Sequence, residues 1–139
     1  MRSRIIVGVI LLTGMLAAGT LATSGDGVAP QKQWALVNFV NPVRVGTDIL
    51  MGPYLIVHDD AKMARGEPCT TIYRFDTKKG PQESAVTFMC RPVRRTVAAE
   101  LTLTKLAAYD PSNIATIAEY QFAGDTEGHG VPLRSVDSR

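Results

Sequence analysis

The chain is short of the residues that most often carry chemistry. Its 139 residues include two cysteines, two histidines and one tryptophan. His58 and His129 lie far apart in sequence, and neither H-x-H nor H-E-x-x-H spacing occurs, so no local metal motif is present. There is no G-x-S-x-G elbow, no glycine-rich phosphate loop and no C-x-x-C pair. Serine-hydrolase, nucleotide-binding and thioredoxin-type chemistries are therefore left without a signature. No carboxylates are paired in a context that defines an acid–base site. Asp59-Asp60-Ala61-Lys62 lacks the alternating acids and central glycine of a calcium loop.

Long hydrophobic runs are also missing, except one. Arg2 and Arg4 precede an apolar stretch from Ile5 to Leu16, followed by small residues through Ala22 and Ser24. That order is the pattern of a secretory signal peptide. The stretch is too short for a bilayer span, which needs roughly 20 residues. Thr20 and Ala22 place the expected cut after Ala22, with cuts after Gly19 or Ser24 as alternatives. No cysteine near the cut offers a lipid anchor, and no twin-arginine pair is present. The expected mature chain, residues 23–139, is one ordinary domain with enough residues for a core. Loss of Arg2 and Arg4 leaves thirteen Lys and Arg against thirteen Asp and Glu. A neutral chain gives no reason to expect nucleic acid or an anionic membrane as partner. The short cluster Arg91, Arg94 and Arg95 reads as a solvated strand edge.

Residues 23–33 are small and polar and read as a flexible lead-in. From Trp34 the pattern becomes short apolar runs of period two, rich in Val, Ile, Thr and aromatics. Strands are predicted near 34–40, 43–50, 54–59, 69–75, 84–90, 93–105 and 114–122. Turn chemistry separates them at Asn41-Pro42, Gly52-Pro53, Asp59-Asp60, Gly66-Glu67-Pro68, Lys79-Gly80-Pro81 and 110–113. Residues 111–121 also fit a helix opened by Asp110 and Pro111, but their alternation favours a strand. About seven short strands predict an all-β domain over 34–123, a single antiparallel Ig-like β-sandwich or a small barrel. Residues 124–139 read as a polar C-terminal tail.

The segment VRVGTDILMGPYLIVH, residues 43–58, looks like a hairpin of small exported bacterial β-domains, with Gly52 at the turn and Tyr54 starting the returning strand. Together with GEPCT, FMC and EYQFAGDTEGHGVP, it resembles a family of short, secreted bacterial β-domain proteins of unassigned activity. The resemblance implies a fold and a location outside the cytoplasm, and no activity.

If 69–75 and 84–90 form a hairpin, a loop centred between Lys79 and Gly80 sets Phe75 opposite Ser84, Tyr73 opposite Val86, Thr71 opposite Phe88 and Cys69 opposite Cys90. Tyr73, Phe75, Val86 and Phe88 would then share one core face, with Tyr54 and Ile56 packed nearby. In an oxidising compartment the two cysteines are expected to form a structural disulfide. A redox or metal-binding pair is disfavoured by the long intervening segment.

Two polar clusters remain. His58, Asp59 and Asp60 end a strand, where turn residues are the ordinary occupants. Asp125, Glu127 and His129 alternate in the tail, a possible metal or acid–base cluster. If the tail is free, each histidine is an isolated weak ligand, and this is the expected outcome. If it folds back beside residues 54–59, His58 and His129 with Asp59 or Asp125 would suit zinc or copper(II). The reading is therefore an exported, non-catalytic β-sandwich without cofactor. It would act as a structural or interaction module whose partner is a protein or envelope component, with no membrane span once the signal is removed. The alternative is a periplasmic copper- or zinc-binding protein, and a hydrolase is a distant third.

Overall fold

The computed structural model describes residues 31–109 and 111–133. The expected signal peptide at 1–22, residues 23–30 of the lead-in and the end of the tail lie outside the described residues. Among the described residues eight strands and one short helix follow in chain order: β1 (Lys32–Val45), β2 (Asp48–Asp59), α1 (Asp60–Ala64), β3 (Thr70–Asp76), β4 (Gly80–Phe88), β5 (Arg91–Arg94), β6 (Leu103–Tyr109), β7 (Ala115–Gln121) and β8 (Glu127–Gly130). Among the described residues no helix is long and apolar enough to cross a membrane.

The strands form one sheet in the order β4-β3-β2-β1-β7-β8-β5, with β6 on the other edge of β7. A meander, β1 to β4, meets a second limb, β5 to β8, along a short parallel seam where Val43 and Arg44 pair with Ala115 and Thr116. The sheet curls strongly. Thr70 on β3 and Tyr120 on β7 are three strand spacings apart along the sheet, about 14 Å if it were flat. Their hydroxyl oxygens are nevertheless 2.5 Å apart across the interior. The concave side holds the core, including Val45, Leu50, Tyr54, Ile56, Ile72, Phe88, Ile117 and Phe122. Period two produces this: along β2, Tyr54, Ile56 and His58 are buried while Leu55 and Val57 stay half-buried on the outer side.

The all-β class holds, but two stacked Ig-like sheets are replaced by one curled sheet, half closed like an open barrel. The first hairpin turns at Gly46-Thr47, between Val45 and Asp48, and not at Gly52. Gly46, at φ +62°, supplies the left-handed backbone that a two-residue turn requires. The expected break at Asn41-Pro42 falls in an irregularity of the long β1–β2 ladder between Phe39 and Val43, while Gly52 and Pro53 stay paired with Phe39 and Asn38.

The β3–β4 register also differs. The Asp76 carboxylate accepts from the Lys78 and Lys79 amides, which tightens the loop to three residues. Two irregularities then set Ile72 opposite Val86 and Thr70 opposite Phe88. As a result Thr70 and Ile72 point inward, while Tyr73 and Phe75 are half-buried on the outer face. The predicted strand 93–105 divides into β5 and β6, and residues 115–121 form strand β7. The tail is corrected most. Glu127–Gly130 is strand β8, inserted between β7 and β5, with Gly128, His129 and Gly130 all buried.

Candidate metal centre

His58 ends the inward row of β2 and is fully buried. Asp59 follows as the N-cap of α1, its carboxylate accepting from the Ala61 and Lys62 amides. That cap reverses the chain so that Asp60 comes back over the imidazole, and Asp60 Oδ1 lies 2.9 Å from His58 Nε2. A carboxylate only accepts, so Nε2 donates to it. His58 Nδ1 is 3.5 Å from Cys90 Sγ.

Both cysteines sit at strand ends. Cys69 immediately precedes β3 and is tied to β2 by the Asp59 amide, which donates to its carbonyl. Cys90 lies between β4 and β5, and its amide donates to Cys69 Sγ at 3.1 Å. The sulfurs are 2.6 Å apart, with no disulfide bond assigned between them. The disulfide expected from the register is not formed at this separation, although the two sulfurs remain neighbours despite the shifted register. The ligand atoms of His58, Cys69 and Cys90 all lie within 4.8 Å of one another.

β8 brings the fourth group. His129 Nδ1 is 3.8 Å from Cys90 Sγ, and its ring centroid is 4.1 Å from that of His58. Tyr120 stacks on the His129 ring, and Phe122 meets it edge-on. The glycines around His129 let β8 enter: a side chain at Gly128 would overlap the Glu119 carboxylate, and one at Gly130 would press on the Arg91 carbonyl. Glu119 is held by Arg95 on the neighbouring segment.

Burial dominates the electrostatics. It pushes the Cys90 thiol up to about 12, with Cys69 beside it adding to the shift. Burial first, and His58 second, lower His129 to about 4. At neutral pH the pocket therefore contains a neutral imidazole and a protonated thiol. Among the described residues His129 Nε2 has no hydrogen-bond partner, although it is buried. A buried imidazole without a bond to satisfy it is costly, and its position needs a reason beyond packing.

Cys90, His58 and Asp60 stand in the order nucleophile, base and orienting acid. The raised thiol is a poor nucleophile, because the thiolate is the reactive form. Ligation suits the set better. Two thiols and two imidazoles are the donors of four-coordinate zinc and of copper(I), and Asp60 on His58 Nε2 is the usual outer partner of a metal-bound histidine. Asp60 also lines an open cleft of about 750 Å³ with Gln31, Gln33, Arg95 and Asp125, which connects the edge of the site to solvent.

Of the residues expected for a metal site, the structure brings His58 and His129 together and excludes both carboxylates. Asp59 is committed to the helix cap. Asp125 accepts from Gln33 Nε2 and from the Glu127 amide, organising the turn before β8. The cysteines take the carboxylates' place. The folded-back tail, the less expected arrangement, is the one found. Sequence signals for this existed: His58 shares the period-two face of Tyr54 and Ile56, and GHGV is a short run of small residues around one imidazole. No protein family, curated protein or solved structure matches this chain.

Proposed function

We propose that this chain is an exported protein that binds one soft transition-metal ion, zinc(II) or copper(I), through Cys69, Cys90, His58 and His129. The observation carrying this reading is the convergence of three buried donors, His58, Cys69 and Cys90, with ligand atoms within 4.8 Å of one another, beside which His129 places Nδ1 3.8 Å from Cys90 Sγ. Export is supported by the basic start, the short apolar run and the small residues at 20–24. An oxidising destination would also allow Cys69 and Cys90 to close the disulfide. The test is titration of the fully reduced mature chain with zinc, and with copper(I), against a chromophoric chelator. One ion per chain at sub-micromolar affinity, lost in His129→Ala and Cys69→Ser, is the expected result. Affinity no better than that of a lone surface histidine would reject the reading.

One observation supports a second reading, an interaction module. Trp34 and Leu36, 66% and 52% exposed, form an apolar strip with Leu55, Val57 and Phe75 on the outer face of the sheet. Trp34 is the only tryptophan, so its emission reports directly on cover. A blue shift on adding envelope fractions supports this reading, and unchanged emission counts against it.

A further inference from the structure

The metal reading leaves open why two free thiols, rather than a thiol and a third imidazole, occupy the pocket. Their sulfurs are neighbours. A disulfide needs them about 2.05 Å apart, whereas a tetrahedral zinc at its usual sulfur distance of about 2.3 Å spreads them to about 3.8 Å. The same two neighbouring cysteines can adopt either arrangement but not both at once. A disulfide sulfur is no longer an anionic donor, and closing the bond would leave only His58 and His129, a pair too small for a tight site.

We infer that Cys69 and Cys90 gate the metal site by redox state, holding the ion as thiolates and expelling it as a disulfide. This inference rests on the metal reading above. The oxidant class is a disulfide of another molecule. In the exchange one thiolate attacks that disulfide and forms a mixed disulfide, releasing the first outside thiolate. The second thiolate then attacks the mixed bond, the Cys69–Cys90 bond forms and the second outside thiolate leaves. Two electrons pass from the cysteines to the outside disulfide. Two protons taken from solvent convert the departing thiolates to thiols, and the divalent ion leaves with its charge unchanged.

The placement of the cysteines suits access despite their burial. Cys90 adjoins β5, an edge strand held by four residue pairs to β8 alone, and Cys69 follows the exposed Arg65–Pro68 loop. Strand ends at a sheet edge open at lower free energy than the core. Opening β5 uncovers Cys90 without disturbing the β1–β2 ladder, which would make it the attacking sulfur once metal binding has removed its proton.

The experiment uses the unsubstituted mature chain, so no variant has to fold. Zinc-loaded protein is treated with oxidised glutathione while free zinc and remaining thiols are followed together. Two thiols should disappear per zinc released, with one time course and a final mass two daltons below the reduced chain. The oxidised chain should then bind zinc at least about a hundredfold more weakly, since even loss of an outer partner of a ligand costs 10–100-fold. Equal zinc affinity of oxidised and reduced chains would overturn the gate, as would thiol loss without zinc release. Failure of the reduced chain to bind zinc at all would instead overturn the metal reading on which the gate depends.

Discussion

Replacing Tyr120 with phenylalanine tests the curl of the sheet that assembles the site. Tyr120 is 2% exposed, and its hydroxyl meets Thr70, which is fully buried, across the interior. Phenylalanine keeps the ring, its stacking on His129 and its apolar burial. It deletes only the hydroxyl, and Thr70 Oγ1 is left with Cys69 Sγ at 4.0 Å, a weak acceptor at long range. A buried hydroxyl stripped of its partner costs about 1–3 kcal/mol. In a domain of this size that lowers Tm by roughly 5–15 °C. Thr70→Val alone leaves the Tyr120 hydroxyl unpaired and should cost a similar amount. The double variant removes both groups, so its loss should fall short of the sum by about 1 kcal/mol or more. Urea unfolding followed by circular dichroism of the four proteins measures this coupling. A coupling within about 0.3 kcal/mol of zero, the level of independent distant sites, would mean that β3 and β7 do not meet. Burial also pushes the Tyr120 phenol up, so alkaline absorbance titration should show one tyrosine that ionises only on unfolding.

Three further outcomes are expected. Gly128→Ala drives a Cβ into the Glu119 carboxylate, which Arg95 holds in place, and should destabilise by about 1–3 kcal/mol in urea unfolding, the range for overpacked sites. The Arg95 guanidinium holds the Glu119 carboxyl below its ordinary value of 4.5. The stability from this pair is therefore complete above that value and is lost as pH falls through the lower folded value, and urea midpoints at acid pH should show that loss flattened in Glu119→Gln. Asp60→Asn keeps the size of the group on His58 but removes its charge, and should weaken zinc binding by about 10–100-fold with little change in Tm.

The parts of the fold governed by local alternation were legible in the sequence. Tyr54 and Ile56 point inward as period two requires, and residues 115–121 form a strand as their alternation favours. Turn position was less legible. Both Gly46-Thr47 and Gly52-Pro53 carry turn chemistry, and only the length of the β1–β2 ladder decides between them. The β3–β4 register depended on the Asp76 carboxylate, which shortens the loop, and on the two irregularities that follow it. At the site, His58 could be placed on the inner face, but the tail was read from composition. Gly128 and Gly130 resemble flexible linker residues in sequence, whereas here they are what lets β8 pass beside Glu119 and Arg91. The cysteines were assigned to each other because their separation fitted a hairpin. Their proximity to both imidazoles comes from the curl, which joins segments seventy residues apart and leaves no mark on local spacing.

X-ray absorption of the zinc-loaded, reduced chain is the most direct test of the central claim. Two sulfur scatterers at about 2.3 Å and two nitrogen scatterers at about 2.0–2.1 Å are predicted for Cys69, Cys90, His58 and His129. A shell of oxygen and nitrogen only, without sulfur, would place the metal elsewhere on the protein and contradict the account.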